Sequence, residues 1–199
     1  MVSIVQTGVA NTASVVAAFD RCGVEATRAA TAGDVEAASL LVLPGVGSFG
    51  AGMGALHAAG LVDALRVRIE AGGPTLAICL GMQLLCASSE ESPGVAGLGV
   101  IDARIGALSQ PARPRFGWNR VAPEAGCEVI TEGLAYYANS FGVREQPGGW
   151  ACAMSVLESP FVGALQRGPV VACQFHPELS GPWGLDLLRR WMAMEVAAC

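Results

Sequence analysis

The sequence predicts an α/β fold, a central and mostly parallel sheet flanked by helices with an added antiparallel portion. Three observations predict it. Short apolar runs of the kind buried on both faces, Val2 to Gln6, Ser39 to Leu43 and Thr75 to Ile78, alternate with segments of helical spacing through the first 85 residues. From about Gly94 the rhythm changes to short β-type pieces separated by turns. A final apolar strand, Val170 to Phe175, precedes a closing helix over Leu185 to Met194.

Taken in order, Val2 to Gln6 is the first strand. Asn11 to Cys22 is a helix, with Val15, Val16, Phe19 and Cys22 on one face and Gly23 closing it. Val24 to Arg28 is a second strand. Ser39 to Leu43 is a third, ending abruptly at Pro44 and a glycine-rich loop. His57 falls in a helix, Leu61 to Ala71 forms another that stops at Gly72-Gly73, and Thr75 to Ile78 runs straight into helical spacing over Cys79 to Leu85. The β-type pieces after Gly94 are Val100 to Ala103, Trp118 to Val121, Ala135 to Val143, Ala151 to Val156 and Phe161 to Gln166. With 199 residues, no internal repeat and no linker, residues 1–199 read as a single domain.

Composition removes whole classes of function. The net charge is −5 and the arginines are scattered, whereas nucleic acid binding requires a dense basic stripe. The chain contains no lysine, which excludes Schiff-base chemistry and the P-loop. No apolar run is long enough to span a bilayer, and no Lys or Arg precedes Arg21 to form the basic region of a secretory signal. Seven cysteines at irregular positions, without a C-x-x-C pair, suit neither a disulfide framework nor a zinc site, so a cytoplasmic chain with cysteines used mainly as small core residues is expected.

Two constellations carry chemistry. Cys79 sits where a buried strand meets a helix, with Ala77 two residues before and Gly81 two after, the steric pattern of a nucleophile elbow. First-turn amides of the helix favour negative charge on a thiolate there. The second is His176-Pro177-Glu178 at the carboxyl end of a strand, where ligands bind in open α/β sheets. Glu178 can fold back to one ring nitrogen of His176 while the other faces a thiol, so a Cys-His-carboxylate triad is possible. Gly45-Val46-Gly47-Ser48-Phe49-Gly50 matches G-x-G-x-x-G, but no acidic residue ends a strand about 20 residues on to hold a ribose. Its exposed amides suit half of an oxyanion hole, with the Leu80 amide as the other half.

Leu43-Pro44-Gly45-Val46-Gly47, Ala77 to Leu85 and Gln174-Phe175-His176-Pro177-Glu178 together resemble the class I glutamine amidotransferases in order and separation. Within that family the chain is most similar to the glutaminase subunits of imidazole glycerol phosphate synthase, through Ser89-Glu90-Glu91-Ser92, Gly117-Trp118-Asn119 and Ser180-Gly181. The resemblance implies a flavodoxin-like glutaminase docked on a (β/α)8-barrel cyclase as a heterodimer, delivering ammonia for histidine biosynthesis without a cofactor or metal. It implies Cys79 as nucleophile, His176 as base and then acid, and Glu178 as its orienting carboxylate. It places Val46, Gly47 and Leu80 at the oxyanion hole and Gln83, Glu91, Ser140 and Phe141 against the bound glutamine.

The chain departs from the family pattern at Arg115-Phe116, Asn139, Leu179 and Ala77, where His-Met, a histidine, a basic residue and a glycine are usual. These departures keep open a paralogue serving another synthase. A silent interaction subunit and a stand-alone cysteine peptidase are further alternatives.

Overall fold

The computed structural model describes residues 1–6, 12–108, 115–156 and 159–194, with the Arg115 side chain excluded. The expected helix start at Asn11 and the seventh cysteine, Cys199, lie outside the described residues. The elements are β1 (Val2–Val5), α1 (Thr12–Arg21), β2 (Ala26–Ala29), α2 (Ala32–Ala37), β3 (Leu40–Leu43), α3 (Phe49–Ala58), α4 (Val62–Glu70), β4 (Thr75–Ile78), α5 (Leu80–Leu84), β5 (Cys86–Ser89), β6 (Ile101–Ala107), β7 (Arg115–Pro123), β8 (Gly133–Asn139), β9 (Phe141–Gly142), β10 (Ala151–Val156), β11 (Pro160–Arg167), β12 (Val170–Cys173), a 3₁₀ turn at Pro177–Leu179 and α6 (Gly181–Ala193).

Nine strands form one sheet in the order β2-β1-β3-β4-β12-β11-β10-β7-β8. The pairs from β2 through β12 are parallel, and those from β12 to β8 antiparallel. The antiparallel portion expected from the sequence therefore continues the central sheet. It also curls: the far strand β8 returns to the chain just beyond β12, where Tyr136 bridges His176 and accepts its backbone N–H at 2.8 Å. A smaller sheet, β5-β6-β9, stands beside it.

Strands β3 and β12 are apolar along their length, and β1 and β4 at every position but Ser3 and Thr75, because both faces are covered. Val2, Ile4, Leu40, Val42, Leu76, Ile78, Val171 and Cys173 face a core shared with Val15 and Phe19 of α1 and Leu187, Leu188 and Trp191 of α6. Val5, Leu41, Leu43, Ala77, Val170 and Ala172 face the opposite core, with Val35 of α2, Met53 and Leu56 of α3 and Leu65 and Ile69 of α4. Each fully buried Leu, Ile, Val or Phe side chain is worth about 1.5–3 kcal/mol relative to exposure.

Several elements differ from the sequence reading. The helix α2 was not legible because it has six residues and a single buried side chain, Val35; a capping box between Thr31 and Asp34 starts it. The strand β5, lying ahead of the expected change of rhythm at Gly94, was also not anticipated. The strand expected over Ala135 to Val143 is two, because the chain breaks at Ser140 and β9 pairs with β6. Helix α6 begins at Gly181, four residues earlier than its apolar spacing suggested, after the Pro177–Leu179 turn.

Gly81 in α5 has no room for a side chain, since a Cβ there would lie 2.0 Å from the Leu43 carbonyl oxygen. We expect Gly81→Ala to separate β3 from α5 and destabilise the protein by about 1–3 kcal/mol. The midpoint of urea unfolding measures this; an unchanged midpoint contradicts the packing described.

Candidate active site

Strands β3, β4 and β12 are parallel neighbours whose carboxyl ends fall at the same level. Leu43 pairs with Ala77, Ile78 pairs with Cys173, and the Cys79 N–H donates to the Cys173 carbonyl at 2.7 Å. The three segments that follow these strands, residues 44–48, Cys79 and residues 174–178, are therefore delivered to one edge of the sheet. Segments far apart in sequence meet because their strands are in register.

At the end of β4 the chain turns sharply. Cys79 has φ 55° and ψ −110°, and it is the one non-glycine with positive φ among the described residues. Such a backbone costs on the order of 1–3 kcal/mol and persists only where the surroundings enforce it. Here the bond to Cys173 and the close approach of Gly81 to Leu43 enforce it. The elbow anticipated from Ala77, Cys79 and Gly81 is present, with α5 starting at Leu80 rather than at Cys79 itself.

His176 and Glu178 are buried, at 6% and 7% exposure, and the His176 Nδ1 donates to Glu178 Oε1 at 2.7 Å. Pro177 begins the 3₁₀ turn that folds the carboxylate back onto the ring. The turn is fixed by Ser180, whose hydroxyl donates to the His176 carbonyl at 2.6 Å and accepts the Tyr136 N–H at 3.0 Å. Arg21 at the end of α1 donates to the Glu178 carbonyl at 3.3 Å. Glu178 Oε2 has no hydrogen-bond partner among the described residues. Burial opposes charge on His176, but hydrogen bonds to Cys79 and Glu178, and the charges on those two groups, outweigh it and hold the imidazole up to about 10.

A cavity of about 350 Å³ opens above these groups. It is lined by nine residues named from the sequence, Val46, Gly47, Cys79, Leu80, Gln83, Glu91, Ser140, Phe141 and His176; the tenth, Glu178, lies behind His176. Gln83 donates its amide to the Phe141 carbonyl and to Gln174 Oε1, both at 3.0 Å, so its own carbonyl is the atom left for a ligand. Gln174 donates weakly to Cys79 Sγ at 3.9 Å. Sequence reasoning gave no role to Gln174 or Ser180, although a glutamine closing the apolar run Val170 to Cys173, two residues before His176, was a usable signal.

The four departures from the family pattern avoid Cys79, His176 and Glu178. Phe116 and Leu179 are exposed, and Asn139 is buried with its amide donating to the Phe141 carbonyl at 3.1 Å. Ala77 is fully buried in the sheet. A second cavity of about 250 Å³ borders the first at Val46, Phe116, Ala138 and His176 and extends to Tyr136, Glu178 and Leu179. Trp150 is buried under Arg167 after a turn, and Trp191 is core; Trp118 is exposed. Cys86, Cys152 and Cys173 are buried thiols, with Cys22 and Cys127 partly so. Among the described residues no cluster of His, Cys, Asp or Glu is placed to hold a metal, and no helix is long and apolar enough to cross a membrane.

The model of the class-I glutamine amidotransferase family matches residues 3–193, and the chain belongs to that family. A crystal structure of a glutamine amidotransferase shares the fold, with a TM-score of 0.80 and 20% identity over 98% of this chain and 100% of that one. More particularly, the chain is 39% identical over 197 residues to imidazole glycerol phosphate synthase subunit HisH of Pyrobaculum aerophilum, covering 98% of each. It is 34% identical over 206 residues to the chloroplastic imidazole glycerol phosphate synthase hisHF of Arabidopsis thaliana, covering 100% of this chain and 35% of that protein.

The pKa of His176 lies above the ordinary 6.5, so its contribution to stability is complete below about pH 6.5 and is lost as the pH rises through about 10. We expect ring resonances in NMR to report an imidazolium throughout the neutral range, and the midpoint to fall in Cys79→Ala. A midpoint near 6.5 in the parent chain contradicts the pairing.

Proposed function

We propose that the chain works as one glutaminase domain in which Cys79, His176 and Glu178 are the catalytic groups, releasing ammonia from glutamine for a (β/α)8-barrel cyclase. The chain is the glutaminase subunit of imidazole glycerol phosphate synthase, acting in histidine biosynthesis. The observation that carries the assignment of residues is the convergence of a strained Cys79, a buried His176–Glu178 pair and one cavity, in a chain similar to HisH along nearly its whole length.

Chemistry follows from the placement. The Cys79 thiolate attacks the carboxamide carbon, and the developing oxyanion is met by the Leu80 amide and by the Val46–Gly47 segment. The carbon–nitrogen bond breaks as the His176 imidazolium passes its proton to the departing ammonia, leaving a glutamyl thioester. Neutral His176 then takes a proton from water, whose oxygen adds to the thioester carbon. The carbon–sulfur bond breaks, glutamate leaves and Cys79 is regenerated with the imidazolium beside it. Glu178, at 2.7 Å, keeps the ring oriented throughout. Glu91 is suited to the ammonium group of the substrate, and the Gln83 carbonyl with Ser140 and Phe141 to its remaining polar atoms.

Exposed Phe116, Val46 and Leu179 line the two adjoining cavities, with exposed Trp118 against Tyr136 beside them, and a partner covering these residues would seal the site from water. We place the cyclase there, forming a heterodimer, and the fused relative whose length this chain spans by 35% supports such a pairing. Six cysteines without a disulfide among the described residues support a cytoplasmic location.

We expect glutamine hydrolysis by the purified chain to be stimulated by its cyclase subunit carrying nucleotide ligand, and Cys79→Ala to lower turnover on the order of 10⁴-fold or more. Absence of hydrolysis with and without the cyclase, or a fully active Cys79→Ala, overturns the proposal.

A further inference from the structure

The loop that bears Val46 and Gly47 is held at both ends. At one end Gly45 lies against the elbow, where a Cβ would come 2.9 Å from Leu80 Cβ and 3.0 Å from the Gly81 nitrogen. At the other, the first amides of α3 are taken by side chains of a remote turn. Phe49 N–H donates to Glu91 Oε2 at 2.7 Å and Gly50 N–H donates to Ser92 Oγ at 2.9 Å. Gly50 leaves space for that hydroxyl, because a Cβ there would stand 3.0 Å from Ser92 Oγ and 3.3 Å from Ser92 Cβ.

The turn is itself built firmly. Buried Ser89 accepts the Glu91 N–H on its hydroxyl at 3.2 Å and the Ser92 N–H on its carbonyl at 3.3 Å. Between the two anchors, Gly47 has φ +98° and no atom within 4 Å of where a Cβ would be, whereas Ser48 caps α3 by accepting the Ala51 N–H on its hydroxyl, so Val46 to Gly47 is the stretch able to change shape while both ends stay fixed. Glu91 also lines the cavity, and its Oε1 takes no hydrogen bond among the described residues; Ser92 does not line it.

We propose that the turn at residues 89–92 is a clamp that positions the Val46–Gly47 segment against Cys79. Ser92 is its positioning residue, acting through Gly50 without touching substrate, and Glu91 links the charge of a bound amino acid to the same helix end. A cation drawn to Glu91 Oε1 bears on the carboxylate that holds Phe49, so the loop and the ligand share one side chain. The inference rests on reading the cavity as the glutamine site.

The test uses the chain assembled with its cyclase subunit. Ser92→Ala is expected to lower kcat for glutamine hydrolysis roughly tenfold or more, as misplacement by about 1 Å from a remote change does, with KM within about twofold. Glu91→Gln, which keeps an acceptor for Phe49 but not the charge, raises KM instead. Alkylation of Cys79 by iodoacetamide stays at the parent rate in Ser92→Ala, and hydrogen exchange over residues 45–52 accelerates. Gly50→Ala, which displaces the same hydroxyl, gives the same kcat loss, serves if Ser92→Ala does not fold, and adds nothing in the double variant. Unchanged kcat, or unchanged exchange over residues 45–52, overturns the clamp. A parent complex that does not hydrolyse glutamine overturns the reading of the cavity, and the exchange comparison then decides the clamp alone.

Discussion

The parallel pairing of β4 with β12 is the constraint on which the rest depends. It places Ile78 beside Cys173 and closes with the 2.7 Å bond from Cys79 to Cys173, so the two strands end together and their next residues point out of the same sheet edge. Cys79 and His176 are separated by almost half the chain, yet a shift of one residue in this pairing would turn every side chain of β12 to the other face. Val170 and Ala172 pack into one core and Val171 and Cys173 into the other, so a slip would require both cores to repack around side chains of different shape. Packing of the two hydrophobic cores thus fixes the geometry of the reactive groups.

The elbow shows the cost of that arrangement and what sustains it. A cysteine at φ 55° is unfavourable, and α5 is too short to hold it alone. Contact between Gly81 and the end of β3, together with the bond to β12, ties the turn to both neighbouring strands. On the His176 side the antiparallel half of the sheet supplies the support: β8 curls back so that Tyr136 binds the His176 backbone and Ser180 at once. The T-shaped contacts of Tyr137 with Phe161 and Phe175 fill the space this curl encloses. The antiparallel portion is therefore a buttress for one half of the site.

How much of this could be read from the residues depended on whether the signal was local. Apolar runs such as Leu40–Leu43 and residues 76–78 declare buried strands, and small residues around Cys79 declare the elbow. All ten residues singled out for the site lie in or directly behind one cavity. The missing parts were those set by distant partners. Nothing in Cys86–Ser89 marks a strand until β6 lies beside it, and the break at Ser140 exists because β9 leaves β8 to pair with β6. The bond of Ser92 to Gly50 joins two glycine- and serine-rich segments that look like ordinary turns in isolation.

The most direct test of the central claim is covalent labelling of the complex with a glutamine-analogue electrophile, followed by peptide mass spectrometry. The account predicts one adduct, on Cys79, protected by glutamine and absent from the buried Cys86, Cys152 and Cys173. Labelling of another cysteine in preference to Cys79, or labelling that glutamine does not prevent, would contradict it.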